Sequence, residues 1–122
     1  MQETPIKRGD VWWVDWSPGR GSEQLGTRPA VVIQNDLGNQ YSPTTIVSAI
    51  TTRAPQRQYP FIVPISASES GLPQDSLANL SQIMTVDKSR LDRKVGQLGQ
   101  QKMGEVDEAI KASLGLSLTE HD

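Results

Sequence analysis

Residues 21–36, Gly21-Ser22-Glu23-Gln24-Leu25-Gly26-Thr27-Arg28-Pro29-Ala30-Val31-Val32-Ile33-Gln34-Asn35-Asp36, organise the reading of this chain. The stretch opens as a glycine-rich polar loop and closes as a short apolar run, residues 30–33, that predicts a buried strand. Glycines at 19, 21 and 26 permit sharp backbone and close approach of a ligand. Arg28 stands where loop becomes strand, with Pro29 fixing the backbone after it. Polar groups that do chemistry tend to sit on loops held by a rigid scaffold, and a loop carrying Ser22, Glu23 and Gln24 fits that description.

Working outward, residues 11–16 (Val-Trp-Trp-Val-Asp-Trp) are β-branched and aromatic and predict a first strand. Alternation sets Trp12, Val14 and Trp16 on one face and Val11, Trp13 and Asp15 on the other. The tryptophans fit base-stacking platforms, but core packing is the simpler reading in a chain with few other large side chains. Residues 30–34 form the second strand, residues 35–39 the turn that ends it, and residues 44–50 the third strand. Residues 59–65 form a fourth, which Pro60 and Pro64 place at an edge or beside a bulge. A polar loop spans residues 66–74. Residues 76–80 and 82–86 read as one bent strand or two short ones, Asp87 as the cap of a single helical turn, and residues 95–98 as a last strand. From Gln100 to Leu114, Met103, Val106, Ile110 and Leu114 make one apolar stripe, with Glu105, Asp107, Glu108 and Lys111 on a solvated face and Gly115 as the C-cap. The expected fold is mostly β (α+β), an SH3-like small curved barrel or sheet with a C-terminal α-helix. Residues 1–116 are one domain and 117–122 a flexible tail. An exposed strand edge in so small a fold favours pairing with a second copy.

Composition narrows the chemistry. The chain has 122 residues, no cysteine, one histidine and a formal net charge of −2. Without cysteine there is neither a disulfide nor a thiolate metal site. His121, the penultimate residue of a 122-residue sequence, offers nothing to a Ser/His/Asp triad or a histidine-based metal cluster. No apolar run approaches a membrane span or a signal peptide, so a cytoplasmic location is expected. Net negative charge sits awkwardly with nucleic-acid binding. The first half is less acidic: in residues 1–61, Lys7, Arg8, Arg20, Arg28, Arg53 and Arg57 oppose Glu3, Asp10, Asp15, Glu23 and Asp36, a balance of +1. Any phosphate-facing patch is therefore local and built from these arginines.

What remains is a polar set of Glu23, Gln24, Arg28, Thr51, Thr52 and Arg53. Arg28 is always protonated and offers a fork of donors suited to phosphate oxygens. Thr51, at a strand end, can donate a hydroxyl to the same phosphate. The plainer alternative is that Arg28 pairs with Asp36 or Glu23 and that Thr51 satisfies a turn.

The motifs Lys7-Arg8-Gly9-Asp10, Gly21-Ser22-Glu23-Gln24, Gly26, Arg28-Pro29, Thr51-Thr52, Tyr59-Pro60-Phe61, Gln82 and Thr85-Val86-Asp87-Lys88, with the final amphipathic helix, resemble the MazF/PemK family of toxin endoribonucleases. The resemblance covers nearly the whole chain. It implies the toxin of a type II toxin–antitoxin system, a homodimer of SH3-like barrels that cuts single-stranded RNA at a short sequence without metal or cofactor. The implied reaction is transesterification by the ribose 2′-OH, leaving a 2′,3′-cyclic phosphate and a 5′-OH. It places the catalytic arginine at Arg28 and the catalytic threonine at Thr51. Glu23 is the candidate base, or alternatively the group that orients Arg28. RNA contacts are expected from Ser22, Gln24 and Thr27, from Thr52, from Arg53 and Gln58 in the polar loop of residues 53–58, and from Gln82. Ser81 and Met84 stand where relatives often carry charge, which alters the expected RNA preference. The implied protein partner is a cognate antitoxin whose acidic C-terminal segment occupies the RNA groove; no membrane partner is implied. Two non-enzymatic readings of the same scaffold are a binder that poisons a topoisomerase and an inert SH3-like interaction module.

Overall fold

The computed structural model describes residues 4–16, 26–53 and 57–116. Its elements are β1 (Asp10–Asp15), β2 (Thr27–Val32), α1 (Asp36–Tyr41), β3 (Thr44–Thr51), β4 (Ile62–Ile65), α2 (Ala67–Ser70), β5 (Ser76–Asp87), a 3₁₀ turn (Lys88–Arg90), β6 (Leu91–Gln97) and α3 (Gln100–Leu114). The strands form one antiparallel sheet in the order β4-β5-β3-β2-β1-β6. The mostly-β expectation with a terminal helix is met, with the sheet left open: β4 and β6 are its two edges. Pro64 accordingly lies on an edge strand, where its missing N–H costs no ladder bond.

Alternation along the central strands feeds two apolar clusters. Val11, Val31, Ile50, Val63, Ile65, Leu80, Val106 and Ala109 join one, between the sheet and α3; Trp12, Val14, Ala30, Val32, Val47 and Val86 join the other. Of the three tryptophans only Trp12 is buried, whereas Trp13 and Trp16 are half-buried.

The open edges are spanned by α2. Gly71 caps α2 at φ 83°, and a Cβ there would lie 2.1 Å from the Val95 carbonyl oxygen of β6. A Cβ on Gly96 would meet the Ser70 carbonyl oxygen at 2.2 Å. Two glycines thus let backbone lie against backbone, drawing the β4 end of the sheet toward β6 without a ladder between them. Helix α3 is tied on by Lys102 Nζ donating to the Pro64 carbonyl at 2.9 Å and by an Arg8–Asp107 ion pair at 2.7 Å.

Several expectations shift. Residues 35–39 are not a turn: Asn35 caps α1, its Oδ1 accepting the Gly38 N–H at 2.7 Å. The loop at 66–74 contains α2, set by a capping box in which Ser66 accepts from the Glu69 N–H and Glu69 accepts from the Ser66 N–H. Strand β2 starts at Thr27 rather than residue 30, because Thr27 and Arg28 pair with Asp15 and Val14 of β1. Strand β4 starts at Ile62, three residues late, and β6 starts at Leu91, four residues early. On α3, Leu114 leaves the apolar stripe and is 58% exposed, Ala109 joins the core instead, and Asp107 is bound to Arg8 rather than simply solvated. Asp87 does cap the 3₁₀ turn, and Gly115, at φ 74°, does end α3.

Candidate active site

Arg28 and Thr51 lie on neighbouring strands, and register decides their relation. The β2–β3 ladder pairs Ala30 with Ala49 and Val32 with Val47. Continued by two residues, the same register sets Arg28 opposite Thr51 on the face that Ala30 and Ala49 share. The ladder itself stops at Ala30, one residue beyond Pro29, which has no N–H to give. Both side chains are exposed and both line one cleft of about 1060 Å³ at this end of the sheet.

Thr51 Oγ1 accepts the backbone N–H of Arg53 at 3.1 Å. The turn-satisfying reading of Thr51 is therefore observed, and it leaves the hydroxyl proton available, since an oxygen that accepts one bond can still donate another. Asp36 is no partner for Arg28. Its Oδ1 accepts from the Arg8 N–H at 2.7 Å and from Asn39 at 3.2 Å, and the Arg8 N–H above all holds its carboxyl below the usual range, against desolvation and with help from Asn39 and the Lys7 and Arg8 charges. Glu23, the other candidate partner, lies outside the described residues, as do Ser22 and Gln24. The charged side chains among the described residues lining the cleft are Arg28 and Arg53; none is acidic.

Thr52, Arg53 and Gln82 also line the cleft, while Thr27 and Gln58 are exposed but outside its lining. Gln82 is placed by a bulge. A step of two residues on β3, Ser48 to Ile50, faces five on β5, Ile83 to Ala78, and the extra residues re-aim the strand there. Within that bulge Asn79, which lines the cleft, accepts at Oδ1 from both the N–H and the hydroxyl of Ser81, at 3.0 and 2.6 Å. Met84 lines the cleft and Ser81 does not, so only the first of these two departures bears on the surface beside Gln82. Sequence reasoning favoured Trp13 and Trp16 as core, and each packs half-buried against one of the two apolar clusters; both also line the cleft, as does Asn79, which sequence reasoning passed over. Their signal was the tryptophan alternation, which reveals faces but not where a face meets solvent.

Solved structures share this architecture. An endoribonuclease from a Mycobacterial species, in complex with its cognate antitoxin, is 23% identical, covers 92% of this chain and 97% of its own, and superposes with a TM-score of 0.77. A MazE–MazF structure from Deinococcus radiodurans is 23% identical over 93% of this chain and 100% of that one, with a TM-score of 0.76. The Mycobacterium tuberculosis toxin MazF-mt6 is 20% identical over 88% and 98%, with a TM-score of 0.74. At such identities the likeness establishes the fold. The sequence itself carries the family: residues 7–114 match the model of the PemK-like, MazF-like toxins of type II toxin–antitoxin systems, and the chain belongs to that family.

Proposed function

We propose that the protein is the toxin of a type II toxin–antitoxin pair and an endoribonuclease that cleaves single-stranded RNA, including mRNA, at a short sequence in the cytoplasm. The observation that supports this reading is that Arg28 and Thr51 line one cleft whose described charged lining is arginine alone, in a protein of net charge −2.

The chemistry follows from those groups. The ribose 2′-OH loses its proton to a base, O2′ bonds to phosphorus, the P–O5′ bond breaks, and O5′ takes up a proton. The products are a 2′,3′-cyclic phosphate and a 5′-OH. The Arg28 guanidinium stabilises charge growing on the non-bridging oxygens, a preorganised electrostatic contribution that needs no divalent ion. The Thr51 hydroxyl, oriented by the Arg53 N–H, donates to the same phosphoryl group and keeps it in line for attack. Glu23 is the candidate base. Arg53, Thr52 and Gln82 meet the splayed bases, with Ser22, Gln24, Thr27 and Gln58 contributing from the adjoining loops. The protein acts as a homodimer, and a cognate antitoxin places an acidic segment over the same arginines, competing with the RNA backbone. The Mycobacterial relative solved with its cognate antitoxin supports a partner of this kind.

The test is incubation with single-stranded RNA in excess chelator, followed by mapping of both new ends. Cyclic phosphate and 5′-OH termini are expected. Absence of cutting by the folded protein, or cutting that stops in chelator, overturns the mechanism.

A further inference from the structure

Strand β6 carries an arginine that the site above does not use. Arg93 is exposed, and its guanidinium carbon lies 6.0 Å from the centre of the Trp13 ring. Its neighbours among the β6-side cations are occupied: Lys94 pairs with the buried Asp10 at 3.2 Å, and Arg90 donates to the Asp15 carbonyl at 3.0 Å. None of the ion pairs among the described residues involves Arg93.

Register ties Arg93 to the cleft. Trp13 pairs with Pro29 on β2 and with Arg93 on β6, so Pro29, Trp13 and Arg93 succeed one another across three adjacent strands. Trp13 and Pro29 line the cleft, on the face of the sheet opposite to the one that Val14 and Arg28 share. Strand spacing puts Arg93 about 10 Å from Pro29, a distance that neighbouring nucleotides of an extended strand can cover. A guanidinium resting on an aromatic ring uses its face for that contact and keeps its N–H edges for a phosphate oxygen.

We propose that Arg93, held on Trp13, is a second phosphate contact that carries the nucleic-acid strand out of the cleft across β1 to β6. This rests on reading the cleft as an RNA site and adds the direction in which the strand leaves it. The partner is the backbone of a single-stranded nucleic acid, met by charge and not by base identity.

The test is fluorescence titration with a randomised 12-nucleotide single-stranded DNA pool, which lacks the 2′-OH and cannot be cut by the proposed chemistry, at salt from 50 to 200 mM. Each phosphate contact contributes about 0.7 to the slope of log affinity against log salt for single strands. Arg93→Gln is expected to lose about that much slope and to bind three- to tenfold more weakly at 50 mM. Arg93→Lys is expected to recover the slope, because the charge sets it. An Arg93→Gln protein with wild-type slope and affinity, or an Arg93→Lys protein that behaves like Arg93→Gln, overturns the proposal. Wild type that cuts RNA while Arg93→Gln titrates normally sinks this contact alone. Wild type that binds through Arg93 but cuts nothing sinks the nuclease alone, and wild type that binds no strand overturns both.

Discussion

Replacing Gly96 by alanine probes how the two open edges of the sheet are held together. The added Cβ would sit 2.2 Å from the Ser70 carbonyl oxygen, 2.8 Å from its carbonyl carbon and 3.4 Å from the Gly71 nitrogen. All three are backbone atoms, so no side chain can swing aside, and α2 must lift from β6 by more than an ångström. Overpacking of this kind costs about 1–3 kcal/mol. Leu72, buried in the core directly after α2, would be partly uncovered, out of the roughly 1.5–3 kcal/mol that full burial of a leucine contributes. Together these give about 3 kcal/mol. At about 2.1 cal/mol/K per residue, unfolding this chain carries an entropy of about 0.26 kcal/mol/K, so Tm should fall by about 12 °C. Gly104→Ala is the control: nothing lies within 4 Å of a Cβ there, and in the interior of α3 the change should stabilise by about 0.5–1 kcal/mol. Both are read by calorimetry at one fixed protein concentration. A Gly96→Ala protein melting within 2 °C of wild type would refute the claim that backbone contact between α2 and β6 closes the fold.

Arg28→Ala should lower kcat for RNA cleavage by about 10²–10³ through loss of a preorganised charge, with the melting temperature held; a fall in Tm without a kinetic effect would assign Arg28 a structural role. Thr51→Val should slow cleavage more than it weakens RNA binding, whereas Thr51→Ser should retain most of the rate; equal rates in all three would remove the hydroxyl from the reaction. Because the Asp36 carboxyl is held below its ordinary range in the folded protein, its contribution is present above about pH 4 and is lost as the pH falls through the folded value. The Tm gap between wild type and Asp36→Asn should therefore close on acidification from pH 6 to pH 3, and a constant gap would show that the Arg8 N–H contact contributes nothing through charge.

Much of this fold is written locally. Gln100 to Leu114 carries its own period and its own terminal glycine, and α3 has those bounds. Asp87 and Gly115 announce caps, and β3 is a run rich in β-branched residues. The motifs around Arg28 lie within residues 7–114, the span that matches the family model. The Ser66-x-x-Glu69 box was equally local and equally readable. What local pattern cannot supply is register. Arg28 and Thr51 reach one cleft on strands held by the pairing of Ala30 with Ala49, and one step of slippage would turn the side chains of one strand to the other face. Nor can composition show that an acidic chain reserves a cleft for arginines, since net charge sums over a surface that folding divides. The half-exposed tryptophans and the glycine contact between α2 and β6 belong to the same class. Each depends on residues distant in the chain arriving side by side, and only the packed sheet brings them there.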